Sequence, residues 1–153
     1  MRAYYIPASA GVLLAVSAFV PWMYVGDVSL GGFPSTAGWW ILGLGFLAVV
    51  LAVLSIVTRK NSRHPLLLVG LTAFAIMFLG YQWMSRSVRD AAWAQAQARA
   101  IVTDLPAGAP PTTAVGLGIY LGIAAAAILV VFGLTIVVKR VPSAYAVPED
   151  DDV

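Results

Sequence analysis

Four long apolar stretches without a single ionisable side chain constrain this chain more than any other feature. They cover approximately residues 6–23, 39–57, 66–84 and 113–138, and none contains Asp, Glu, Lys, Arg or His. Each reaches the roughly 18 to 20 apolar residues that a hydrocarbon core about 30 Å thick requires. Because backbone amides in lipid must be satisfied within the segment itself, we expect helices. The sequence therefore predicts an all-α integral membrane four-helix bundle.

Composition supports a membrane setting. The chain is 61% hydrophobic and 10% charged, whereas a soluble domain carries about 25% charged residues. We predict a single four-span domain at residues 1–140 and a flexible acidic cytoplasmic tail at 141–153. The formal charge of +2 is too small to indicate a nucleic-acid partner. The lack of cysteine excludes disulfides and thiolate metal sites.

The orientation prediction rests on the positive charges that flank the spans. Six of them fall on one side and three on the other, and an excess of Lys and Arg marks the cytoplasmic side. The larger set consists of Arg2, Arg59, Lys60, Arg63, Lys139 and Arg140, and the smaller set of Arg86, Arg89 and Arg99. Both termini are therefore expected in the cytoplasm. The abundance of Ala, Val and Gly, with more Arg than Lys, is typical of a GC-rich bacterium, which favours a bacterial cytoplasmic membrane.

The segment at residues 85–105 follows the third span and contains no Gly or Pro. Its many strong helix formers predict a helix. Two arrangements fit: the third span continues unbroken for roughly another 30 Å at about 1.5 Å per residue, or a bend near Ser85 lays the segment flat on the outer interface. We favour the continuous helix, which the proline-rich residues 106–111 then end.

The connections between the spans carry signals of their own. Gly31, Gly32 and Pro34 predict a turn or a short hairpin between spans one and two. Ser35 or Thr36 is expected to cap the second helix. The short basic turn before Pro65 makes spans two and three antiparallel neighbours, with Pro65 in the first turn of the third helix.

Residues that carry chemistry are scarce. His64 is the only histidine and lies in that basic turn, where we interpret it as an interface residue. Proton and ion pathways usually contain ionisable groups inside the spans, and these spans have none. This argues against a pump, an ion-coupled transporter or an intramembrane protease. We therefore predict that the protein is not an enzyme, with no catalytic residue and no metal site.

Aromatic residues crowd the outer end of spans one and two and are weak candidates for a ligand site. The five are Trp22, Tyr24, Phe33, Trp39 and Trp40. They fit a groove for a quinone, a lipid tail or a pigment, but also the ordinary belt of aromatic residues at a membrane interface, which we favour. We predict no cofactor, while a bound lipid, quinone or carotenoid remains open.

Small residues recur every four positions along the spans. Gly118, Gly122 and Ala126 form such a series on the fourth span. Small residues allow helix backbones to approach closely in lipid, either within the bundle, which we favour, or against a partner. The candidates for partner contact are Gly118, Gly122, Ala126, Arg86, Arg89, Trp93 and Arg99.

The layout is similar to that of claudin-like tetraspans. The first outer loop ends with Gly38, Trp39 and Trp40, and the third helix is expected to extend outside. That family's loop usually carries a Gly-Leu-Trp signature with two cysteines, whereas this chain has neither. The resemblance implies a topology, and no functional residue is carried over.

Two functions fit these features. The leading hypothesis is a non-catalytic accessory or scaffold subunit of a larger membrane complex, with other membrane protein subunits and lipids as partners. The alternative is a membrane binder or carrier of a hydrophobic small molecule.

Overall fold

The computed structural model describes residues 4–26, 28–58, 63–103 and 112–138. Over these residues the chain is 81% helical with a small sheet. The helices are α1 (Tyr5–Ser17), α2 (Thr36–Thr58), α3 (Arg63–Thr103) and α4 (Leu117–Val138), and the strands are β1 (Pro21–Val25), β2 (Val28–Gly31) and β3 (Thr113–Val115). The acidic tail lies outside the described residues, as do Arg2, Asp27, Arg59, Lys60, Asp104, Lys139 and Arg140.

Three of the helices, α2, α3 and α4, are long and apolar enough to cross a membrane. The four helices form a ring in which α1 packs on α2 and α4, and α3 packs on the same two helices. Large apolar side chains cover the outside of the ring, among them Phe46, Val57, Leu68 and Val131. Helices that are hydrophobic all round are typical of membrane spans.

Small residues set the distances between the helices. A Cβ atom added at Gly11 of α1 would lie 2.9 Å from the carbonyl oxygen of Gly45 on α2. On the opposite side of the ring, a Cβ at Gly70 of α3 would lie 2.9 Å from Cβ of Leu129 on α4. These close approaches match the expected role of small residues in membrane helix packing.

The sheet was not predicted. Its strand order is β2-β1-β3, with both pairs antiparallel. The predicted first span, residues 6–23, is helical only as far as Ser17, and its end forms most of β1. The predicted fourth span began at Thr113, but residues 113–115 form β3 and α4 starts at Leu117. Short apolar strands at the ends of apolar helices do not differ from them in hydropathy, so the sequence pattern concealed them.

The connection between α1 and α2 contains the hairpin that was one of the two predicted alternatives. Two residues join β1 to β2, and the first of them, Gly26, has a φ of 56°. Positive φ is required in tight hairpin turns and costs glycine little. Ser35 caps α2 as predicted, because its Oγ accepts a hydrogen bond of 3.2 Å from the Gly38 amide.

The third helix continues without interruption from Arg63 to Thr103. At about 1.5 Å per residue, its 41 residues extend for roughly 60 Å, twice the thickness of a hydrocarbon core. The buried residues of α3 lie in its first half, and Tyr81 and Met84 are the last to pack against the core. The structure thus has the continuous helix, not the bend near Ser85. Pro65 lies in the first turn, as predicted.

Candidate functional site

The five aromatic residues that were predicted at the outer end of spans one and two do not form a single site. Trp22 is fully buried at the junction of α1, the sheet and α4, and its indole N–H donates a 2.8 Å hydrogen bond to the Ser17 carbonyl. Gly32 and Gly118 face the ring so closely that a side chain at either position would overlap it. Trp22 is therefore part of the core.

The local backbone explains how Trp22 becomes buried next to another buried residue. Side chains normally alternate between the faces of a strand, yet Trp22 and Met23 are both buried. The pairing register shifts between Pro21 and Met23, so Trp22 is the extra residue of a β-bulge. A bulge redirects a side chain in this way. The pattern of apolar residues in the sequence did not indicate this bulge.

The other four aromatic residues separate into three groups. Tyr24 is exposed on β1. Phe33 lies edge-on to Trp39 with 5.0 Å between the ring centroids, and Phe19 is 5.6 Å from Phe33 on its other side. Trp40 faces α3 instead.

Trp40 borders a groove between α2 and α3 that the sequence did not indicate. This α2–α3 groove has a volume of about 300 Å³ and is lined by Thr36, Ala37, Trp40, Ile76, Leu79, Gly80 and Trp83. Its volume lies at the lower end of the range of ligand pockets. A second cavity, the Trp39 groove, has a volume of about 400 Å³ and is lined by Thr36, Trp39, Trp40 and Gly43. Trp40 and Thr36 border both.

A third groove lies between α1 and α4. Its volume is about 370 Å³, and it is lined by Ile6, Ala127, Ile128, Val131, Phe132 and Thr135. The Thr135 hydroxyl donates a 2.7 Å hydrogen bond to the Phe132 carbonyl on its own helix. The groove therefore offers a ligand little beyond apolar contact.

The candidates for partner contact fall into a buried set and an exposed set. Gly118, Gly122 and Ala126 are buried inside the bundle. A side chain at Gly122 would overlap the end of the Met77 side chain on α3. These three positions are occupied by packing within the chain.

The exposed set lies on residues 85–103 of α3, which we call the outer α3 segment. Arg86, Arg89 and Arg99 are exposed there, and Trp93 is half-buried. Near its end, Ile101 and Val102 are 82% and 86% exposed. No residue of the segment belongs to the buried core of the described chain. The outer α3 segment is thus a helical surface that the bundle itself does not use.

The described residues contain no cluster of potential metal-binding side chains. No group of three or more His, Asp or Glu residues there lies close enough together to hold a metal ion. His64 is exposed at the start of α3. Arg86 and Asp90, which are spaced for an ion pair on one helix face, form none among the described residues.

Comparison of the chain with models of known protein families, with curated proteins and with solved structures found no match.

Proposed function

We propose that the chain is a four-span integral membrane protein whose first crossing combines α1 with the turn and the start of β1 that follow it. The 13 residues of α1 cover roughly 20 Å at about 1.5 Å per residue. Residues 18–23 add a length comparable to the part of the hydrocarbon core that α1 does not cover. The hydrogen bonds of β1 to β2 and β3 support this arrangement, because they satisfy backbone groups that lipid would leave unpaired.

The charge distribution supports termini in the cytoplasm and a bacterial cytoplasmic membrane as the location. In this orientation the sheet and the outer α3 segment lie on the side of the membrane opposite to the cytoplasm. The basic turn between α2 and α3 then lies in the cytoplasm, where Lys and Arg are preferred.

Within the membrane, the protein acts as a non-catalytic accessory or scaffold subunit of a larger complex. The observation that carries this proposal is the outer α3 segment, with Ile101 and Val102 more than four-fifths exposed on a helix that has left the core. Helices in proteins owe most of their stability to packing, and the outer α3 segment contributes no residue to the core of the described chain. A partner that packs on the segment would supply that stabilisation.

Site-specific photo-crosslinking tests the proposal in intact cells. A photoreactive amino acid replaces Ile101 in one variant and Phe46 in a control, since Phe46 is 69% exposed on the outside of α2. We expect position 101 to yield one defined crosslinked protein and position 46 to yield none. If neither position captures a protein and the extracted chain migrates as a monomer, the proposal is wrong.

A further inference from the structure

The α2–α3 groove and the Trp39 groove lie side by side, with Trp40 as the wall between them. Trp40 is 62% exposed, so its ring stands out from the helix and separates the two. Except for the Thr36 hydroxyl and the indole N–H groups, the side chains that line both are apolar. Two adjacent apolar grooves suit a ligand that has two hydrocarbon chains.

Polar groups collect at the outer end of these grooves. Neither Trp40 nor Trp83 has a hydrogen-bond partner for its indole N–H among the described residues. Arg86 follows Trp83 by three residues, which places it on the next turn of the same side of α3. Its exposed guanidinium has no carboxylate partner in the described part of the chain. Trp40 and Trp83 thus bring two N–H donors to the lining of the α2–α3 groove, and Arg86 lies one turn beyond that lining on α3.

We propose that the two grooves hold the two acyl chains of one anionic phospholipid, with its headgroup phosphate against Arg86. The inference rests on the membrane insertion proposed above. A guanidinium binds phosphate through paired hydrogen bonds, which gives Arg an advantage at such sites. Trp side chains favour the depth where acyl chains meet headgroups. The bound phospholipid thus differs from bulk lipid in two respects. Its negative charge lies against Arg86, and Trp40 separates its two acyl chains.

The groove between α1 and α4 provides a comparison within the molecule. Its volume is similar, but its lining is apolar apart from Thr135, whose hydroxyl already bonds to a backbone carbonyl. The residues that line this groove therefore offer no interaction to the headgroup of a lipid that covers it. Selectivity for an anionic lipid is therefore expected at the α2–α3 groove and the Trp39 groove, and not at the groove between α1 and α4.

Native mass spectrometry of the membrane-extracted protein tests this directly. The protein is titrated with phosphatidylglycerol or with phosphatidylcholine of identical chains. We expect the first complex to form with phosphatidylglycerol at a concentration about tenfold lower, which corresponds to about 1.4 kcal/mol. Both headgroups contain a phosphate, but the choline ammonium of phosphatidylcholine repels Arg86 and offsets the attraction between Arg86 and that phosphate. Arg86→Gln should abolish that difference, and Trp40→Ala should weaken the binding of both lipids.

Two variants serve as controls. Arg99→Gln removes an exposed charge from the same helix, far from the grooves, and Phe46→Ala removes an exposed aromatic ring from α2 outside both linings. Both should bind as the unaltered protein does. Equal binding of the two lipids, an equal loss in Arg99→Gln, or a co-purified quinone or carotenoid in place of lipid would overturn the inference. Recovery of the protein in the soluble fraction would instead overturn the membrane insertion on which it rests.

Discussion

The indole ring of Trp22 lies where α1, the sheet and α4 meet. Gly32 comes from the hairpin and Gly118 from the first turn of α4, and both leave room for the ring. The hydrogen bond to the Ser17 carbonyl fixes its orientation. The position of this one side chain therefore depends on small residues from two distant parts of the chain.

Substitution of these glycines tests that dependence. In Gly118→Ala the added Cβ would lie 2.5 Å from the Val20 carbonyl oxygen and 2.6 Å from Cδ1 of Trp22. Because a backbone carbonyl cannot move aside, we expect the free energy of unfolding to fall by about 1–3 kcal/mol, the usual cost of overpacking. Thermal unfolding in detergent, followed by circular dichroism, measures it.

Gly43→Ala is the matched control, because an added Cβ there meets no atom within 4 Å. We expect its stability to stay the same or to rise by up to about 1 kcal/mol, because alanine is a better helix former than glycine. Equal losses in the two variants would show that the packing around Trp22 is not what makes Gly118 necessary.

At the scale of elements, α3 differs from the other helices in having two halves with different environments. Its first half packs against α2 and α4, while the outer α3 segment contributes nothing to the buried core of the described chain. The two halves should therefore respond differently to substitution. A helix break in the outer half should affect contacts with partners and leave the bundle intact.

Ala92→Pro makes such a break. Proline in a helix interior costs about 3 kcal/mol locally, because it removes a backbone hydrogen bond and clashes with the preceding turn. We expect the thermal unfolding midpoint of the bundle to stay unchanged while the crosslink from position 101 disappears. Ala92→Ser keeps the backbone amide and should preserve both. A bundle midpoint lowered by several degrees in Ala92→Pro would contradict the independence of the two halves.

The sequence predicted the helices better than the sheet, for a physical reason. The unbroken α3 follows from the absence of Gly and Pro across residues 85–105, which is a local signal. The pairing of β3 with β1 joins residues some 90 positions apart, and its three residues resemble the apolar run that follows them. The grooves depend on the direction in which Trp40 points, and the burial of Trp22 depends on a β-bulge. Neither is a local signal in the sequence.

At the scale of the whole molecule, the account depends on how often the chain crosses the membrane. Among the described residues, three helices are long enough to cross without help, and α1 is shorter. If α1 and the residues after it form a fourth crossing, Tyr5 and the hairpin lie on opposite sides. If α1 lies along the surface, they share one side. Every surface proposed above depends on the first arrangement.

Cysteine accessibility tests this most directly, since the natural chain has no cysteine and each introduced thiol is the only one. Tyr5→Cys, Ser29→Cys and Thr58→Cys place it at exposed positions at the start of α1, in the hairpin and at the end of α2. In intact cells, a membrane-impermeant maleimide should label Ser29→Cys, whereas Tyr5→Cys and Thr58→Cys should react only after permeabilisation. Labelling of both Tyr5→Cys and Ser29→Cys in intact cells would contradict the four-span arrangement.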